Sequence, residues 1–179
     1  AVDPTGGASV NPIMAILETG APEGEGSAFW LATYAGDIWR SRPGGWEAIG
    51  HASGGPRGVW CMLPASDPDG GQAIWMGTDG DGLLRYRDGA FTSIRKEDGL
   101  PHDIVYCLLE TRDCSGVPTI WAGTNGGGLG RYQKGRWTTF DRTSGLPNDS
   151  VECLLETQDE GGGRTLWVGT EGGGIARLR

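Results

Sequence analysis

Three cysteines, Cys61, Cys107 and Cys153, fall 46 residues apart. Each sits in the same local run: Val59-Trp60-Cys61-Met62-Leu63, Val105-Tyr106-Cys107-Leu108-Leu109 and Val151-Glu152-Cys153-Leu154-Leu155. Cysteines can hold a metal, form disulfides or attack as thiolates. The fourth run of the series, Ile13-Met14-Ala15-Ile16-Leu17, puts Ala15 in the cysteine's place. A place that alanine fills calls for a small apolar side chain, so these cysteines read as core residues. Cys114 stands apart in a polar stretch and is expected to be exposed. The two histidines, His51 and His102, have no ligand spacing, so no metal is expected. A catalytic base would have to be one of them or a carboxylate such as Glu152, and no nucleophile accompanies any of the three. The chain is therefore not expected to be an enzyme, a propeller lyase or hydrolase being the lesser alternative that the fold leaves open, and no cofactor is implied.

Two further patterns suggest chemistry and are better read as turns. Asp79-Gly80-Asp81-Gly82, Asn125-Gly126-Gly127-Gly128 and Glu171-Gly172-Gly173-Gly174 look like phosphate cradles. No Gly-x-x-x-x-Gly-Lys-Ser/Thr is present, however, and a strand-type run follows each. Tight turns needing positive φ account for them. Asp79, Asp81, Asp103 and Asp149 lack the spacing of a calcium loop and its closing glutamate. Asp and Asn bonding to nearby backbone explain them.

Composition narrows the partners. The formal charge is −8 with no basic run, which argues against nucleic acid. No run reaches the ~18 apolar residues of a membrane helix, so this segment is not expected to insert into a membrane. Glycine is 34 of 179 residues, without collagen period and beside many Trp, Leu, Ile and Val. That mixture suits an ordered all-β protein rich in turns.

The elements that position these residues are repeats. Trp30, Trp75, Trp121 and Trp167 recur at intervals of 45, 46 and 46 within Phe29-Trp30-Leu31-Ala32-Thr33, Ile74-Trp75-Met76-Gly77-Thr78, Ile120-Trp121-Ala122-Gly123-Thr124 and Leu166-Trp167-Val168-Gly169-Thr170. A run with a recurrent arginine follows (Arg40, Arg85, Arg131, Arg177), then a run opened by an aromatic (Trp46, Phe91, Trp137). Each unit thus holds four short β-type runs separated by Gly, Asp, Asn and Pro. A repeat of ~40–45 residues with four strands has the length of a β-propeller blade. The expected fold is all-β: about four tandem, four-stranded antiparallel blades, near residues 11–56, 57–101, 102–147 and 148–179. The aromatic run occurs three times, so the last blade is expected to lack its outer strand, and residues 1–10 are too short and glycine-rich to replace it. Apolar residues at consecutive positions imply sheets covered on both faces by neighbours. The array is expected to belong to a larger ring or to be completed by self-association.

These residues resemble the two-component regulator propeller repeat, whose pattern runs Leu-Trp-x-Gly-Thr, a Gly-Gly-Gly turn, an Arg strand, an aromatic strand and Gly-Leu-Pro. Leu166 to Ile175 and Gly145-Leu146-Pro147-Asn148-Asp149-Ser150-Val151 match it closely. The first unit departs: Ala32 replaces the glycine, Tyr34-Ala35-Gly36-Asp37 the Gly-rich turn, and Ser53-Gly54-Gly55-Pro56 the Gly-Leu-Pro. The resemblance implies a sensor or interaction propeller of bacterial signalling proteins, periplasmic or extracellular, often linked to carbohydrate sensing. It implies a small-molecule or oligosaccharide ligand, or further blades, as partner.

Positions shared by every unit do the same packing job in each, so recognition is sought where units differ. The residue before each cysteine slot reads Met14, Trp60, Tyr106, Glu152. If that run is innermost, this position borders the central channel. Aromatic rings with a carboxylate suit sugars. Trp60, Tyr106 and Glu152 are the channel candidates, with His102, Asn148 and Asp149 at the rim.

Overall fold

The computed structural model describes residues 11–20, 26–51, 58–67 and 70–178, with the side chain of His51 excepted. The segments 1–10 and 53–56 discussed above lie outside the described residues. Four antiparallel sheets follow one another along the chain. The first holds β1 (Ile13–Gly20), β2 (Ser27–Thr33), β3 (Asp37–Arg42) and β4 (Gly45–His51). The second holds β5 (Val59–Ser66), β6 (Gln72–Thr78), β7 (Leu83–Arg87) and β8 (Ala90–Ile94). The third holds β9 (Val105–Arg112), β10 (Pro118–Thr124), β11 (Leu129–Gln133) and β12 (Arg136–Phe140). The fourth holds three strands, β13 (Val151–Gln158), β14 (Arg164–Thr170) and β15 (Gly174–Leu178). Within each sheet the strands lie in sequence order, and the first strands β1, β5, β9 and β13 are neighbours from sheet to sheet. This is an all-β propeller, with the cysteine-bearing run innermost.

Three cores join the blades in series. Trp30, Ala32 and Ile38 of the first blade meet Val59, Ile74, Met76 and Leu84 of the second. Ala73, Trp75 and Leu83 meet Val105, Ile120 and Ala122, and Trp121 and Leu129 meet Val151, Leu166 and Val168. Each blade therefore has a leading face, carrying its tryptophan, and a trailing face that receives the previous one. Trp30 lies edge-on to Tyr86 of the next blade at 5.4 Å, and Trp75 tilts against Tyr132 at 6.1 Å. Across the blade, the indole Nε1 of Trp30, Trp121 and Trp167 donates to Thr19, Thr111 and Thr157. The second blade has Ala65 in the threonine's place, and Nε1 of Trp75 is buried without a partner.

The Gly-Leu-Pro segments build one rim. Each begins at the end of a single 3₁₀ turn, Lys96–Asp98 or Arg142–Ser144, which the strand pattern did not foreshadow. Gly99 and Gly145 leave these turns at φ +100° and +105°, a region that favours glycine. Leu100 and Leu146 plug the space between sheets. The carbonyl of Asp103 then accepts from Gly80 and Gly82, and that of Asp149 from Gly128. The Gly-rich turn of one blade is thereby tied to the segment entering the next.

The exchange of Gly for Ala32 in the first unit has a packing reason. Cys61 pairs with Gly77, Cys107 with Gly123, Cys153 with Gly169, and Ala15 with Ala32. A Cβ at Gly77 would lie 2.7 Å from the Cys61 sulfur and 2.6 Å from the Val105 carbonyl oxygen. Sulfur on one strand therefore requires glycine opposite, whereas two alanines share the same volume. Gly77→Ala is expected to cost about 1–3 kcal/mol by overpacking, and Cys61→Ala in the same chain to recover part of that loss. A denaturant double-mutant cycle measures the coupling; strictly additive costs would show that the two side chains do not compete for one space.

Candidate functional site

The position before each cysteine slot is a β-bulge. Pairing jumps from Val59 to Cys61, from Val105 to Cys107, from Val151 to Cys153 and from Ile13 to Ala15. Trp60, Tyr106, Glu152 and Met14 are the extra residues, released from the ladder and re-aimed. At the same end, the residue after each strand-terminal threonine bonds back to the entering segment. Tyr34, Asp79, Asn125 and Glu171 donate their N–H to the carbonyls of Pro12, Gly58, Ile104 and Ser150, at 2.8, 2.8, 3.1 and 2.9 Å. Two variable series, one bulged and one in the turn, thus meet at one mouth.

This mouth has an aromatic sector and an acidic one. Trp60 lies edge-to-face between Tyr34, at 6.3 Å, and Tyr106, at 5.8 Å. Nε1 of Trp60 is buried without a hydrogen bond. Burial first, then the negative charges of Glu152, Asp79 and Glu171, push the Tyr106 phenol above its ordinary pKa. The structure thus brings Trp60 and Tyr106 together and sets Glu152 close enough for Tyr106 to feel its charge.

His102, Asn148 and Asp149 build turns. The His102 Nδ1 accepts from the Ile104 N–H at 3.1 Å. Asn148 donates to the Glu171 carbonyl at 2.7 Å and accepts from the Ser150 N–H at 2.9 Å. Asp149 accepts from the Arg142 N–H at 2.7 Å, as Asp103 does from Lys96 at 2.8 Å. Among the described residues, no hydrogen bond or ring contact joins these three to Trp60 or Tyr106. Tyr34 and the acidic turn residues were missed as mouth residues. Their signal was available, since the position after the threonine varies as freely as the bulged one: Tyr34, Asp79, Asn125, Glu171.

No protein-family model matches this chain, and no curated protein matches it in sequence. Solved structures do resemble it in shape. The computationally designed Ika4 protein is 11% identical with a TM-score of 0.62, over 96% of this chain and 93% of that one. The computationally designed Ika8 protein is also 11% identical, with a TM-score of 0.60, over 93% of this chain and 45% of that one. BBS1N, solved in complex with ARL6DN, has a TM-score of 0.47 at 11% identity, over 94% of this chain and 66% of its own. The similarity to the designed proteins supports the propeller fold.

The four cysteines carry free thiols. Burial pushes the Cys61 thiol from its ordinary 9.0 up to about 12, and raises Cys107 likewise. An acid whose pKa is raised on folding keeps its proton in the fold after the unfolded chain has lost it. Stability from this source is full below pH 9.0 and declines as pH rises toward about 12. Cys153, read from the repeat as a core residue, is instead exposed, because no described residue covers it as Val151 of the following blade covers Cys107. Cys114 and Cys153 should therefore react with an alkylating reagent in the native chain, and Cys61 and Cys107 only after unfolding. Mass-spectrometric mapping of alkylation at pH 8 checks this; native labelling of Cys61 as fast as Cys114 would refute the packed assignment.

Proposed function

We propose that this chain is a non-catalytic assembly propeller, in which the leading face of the fourth blade seats the trailing face of the first blade of a second copy. The observation that carries the reading is where apolar surface stays open. On the leading face of the fourth blade, Ile175 is 70% exposed, whereas its counterparts Leu83 and Leu129 are fully buried. Trp167 is 37% exposed and Trp75 fully buried, so the core role read for all four tryptophans is complete only where a next blade follows. Trp167 is nonetheless held by Thr157 as Trp30 is by Thr19. On the trailing face of the first blade, Ile13, Ile16 and Phe29 are exposed at places where Val59, Met62 and Ile74 pack into a core.

The second copy is the fitting occupant because the two faces are already complements. Leading meets trailing three times within the chain, and a fourth meeting repeats the same geometry between chains. Two such joints would close a ring from two chains with twofold symmetry. Exposed apolar faces of this kind mark association surfaces.

A second reading, ligand sensing, is favoured by the mouth. The Tyr34–Trp60–Tyr106 row beside Glu152 offers apolar faces and an acceptor, which suits a carbohydrate. The resemblance to the two-component regulator propeller repeat supports that reading and, with it, a periplasmic or extracellular setting in a bacterial signalling protein. No helix of the described residues is long and apolar enough to cross a membrane.

Sedimentation velocity tests the assembly reading. The chain is expected to run at twice its own mass at high concentration, and Ile16→Asp or Trp167→Asp to return it to single-chain mass by placing a charge in the joint. A wild-type chain at single-chain mass at every concentration would mean that the ring closes on itself or the faces stay open, and would end this reading.

A further inference from the structure

Arg40, Arg85 and Arg131 occupy the same place in the third strands β3, β7 and β11, paired across to Trp30, Trp75 and Trp121. Packing holds the first and third alike. The guanidinium of Arg40 lies over the Trp30 ring at 5.3 Å and that of Arg131 over the Phe140 ring at 5.6 Å. In both, Nε is buried without a hydrogen bond. The blades differ in the carboxylate. Arg40 meets Glu47 at 2.9 Å, and Arg85 meets Asp67 at 3.2 Å. Arg131 has no ion pair or hydrogen bond among the described residues.

Neither place that supplies the carboxylate in the other blades supplies one to Arg131. Across the β11–β12 pair, Arg131 faces Thr138 where Arg40 faces Glu47. Asp113 is the counterpart of Asp67 and opens the same hairpin turn, its N–H donating to Val117 as that of Asp67 does to Gly71. Its Oδ1, however, accepts from the N–H groups of Ser115 and Val117, both at 2.9 Å. Glu156 of the next blade is held by Arg164 at 3.1 Å. Arg131 instead borders an open cleft of about 800 Å³ between the third and fourth blades, with Trp121 and Phe140 in its wall, Arg112, Gln133 and Arg164 around it, and Asp113 and Glu156, engaged as just described, also in its lining. The matching cleft between the first and second blades, about 530 Å³, is lined by Arg40 and Arg87, both already paired with carboxylates, with Glu18 and Asp88 beside them.

We infer that the cleft between the third and fourth blades binds a carboxylate from outside the chain, an Asp or Glu side chain of an acidic peptide, in the role that Glu47 and Asp67 fill within it. The guanidinium is fixed by the ring beneath it, so little ordering is left for the ligand to cause. Its outer nitrogens form the fork that fits a carboxylate, and such charge-assisted bonds are the stronger class. Gln133, whose Nε2 donates to Thr119, offers its Oε1 to the peptide's N–H groups, and the apolar wall receives its methylenes. The site is separate from the mouth and from both open faces.

The test follows the Arg131 Nε–Hε resonance in the ¹⁵N-arginine-labelled chain, assigned by its loss in Arg131→Gln. The probes are N-acetylglutamate amide, its neutral isostere N-acetylglutamine amide, and sodium acetate. A saturable shift is expected with the glutamate probe and about tenfold or more weaker binding of the glutamine probe, and titration calorimetry is expected to show the glutamate probe bound about tenfold or more weaker by Arg131→Gln than by the unmodified chain. If Arg131→Gln fails to fold, Arg131→Lys, which loses the fork, serves both purposes. Stronger binding of the glutamate probe than of acetate identifies a peptide as the source; equal binding identifies a free small acid and overturns the peptide assignment. No saturable Arg131 shift with either acid, or an equal response to the neutral isostere, overturns the site.

Discussion

A single four-stranded sheet has two apolar faces and no interior of its own, so each blade here depends on the tryptophan-bearing face of one sheet being covered by the next. That contact sets the rest. Trp75 is fully buried because Tyr132 and Ile120 stand in front of it, and Trp167 is not because no described residue does the same. The inner strand must carry a small residue opposite glycine so that the sheets come close at the hub. The Gly-Leu-Pro segments must drop Leu100 and Leu146 into the gap that opens farther out. These requirements recur from blade to blade because the contact recurs.

This explains what was legible in the sequence. The 46-residue spacing, the tryptophans and the alternating turn signals are imposed by repeated packing, so they yielded the strand order within blades, the blade order and, among the described residues, a last sheet of three strands. The Cys61–Gly77 and Ala15–Ala32 exchange could have been read too, since both members change together, but only once the register places them opposite. Features specified by few residues were not legible. The two 3₁₀ turns span three residues each, too short to show a helical period. The bulges were invisible because one extra residue leaves the repeat length unchanged, and so the reason why Trp60 and Tyr106 turn toward the mouth was hidden. The rim residues illustrate the same limit. Asn148 and Asp149 carry polar groups that suit a ligand, yet those groups are hydrogen-bonded to backbone within their turns.

Differences between blades, set against that common frame, are where recognition is to be sought. Tyr34, Trp60 and Tyr106 gather aromatic faces on one side of the mouth while Asp79, Glu152 and Glu171 supply charge. A neutral tyrosine is what such a surface maintains, since burial and nearby carboxylates both oppose its ionisation. The arginine series tells a parallel story at the periphery. Its first two members are neutralised from within, whereas the third fronts a cleft. The Cys61 and Cys107 thiols belong to the frame itself, and burial keeps Cys61 in the unreactive protonated form at neutral pH.

The central claim is that a blade is held in place by its neighbours' faces and that the two terminal faces are the open ones. Amide hydrogen exchange, read strand by strand at low and at high protein concentration, tests it most directly. The account predicts slow exchange in β5, β6, β9 and β10 at both concentrations. It predicts faster exchange in β1, β2, β13 and β14 at low concentration, with protection rising there alone as concentration increases. Equal protection of all four sheets regardless of concentration, or the slowest exchange in the terminal sheets, would contradict it.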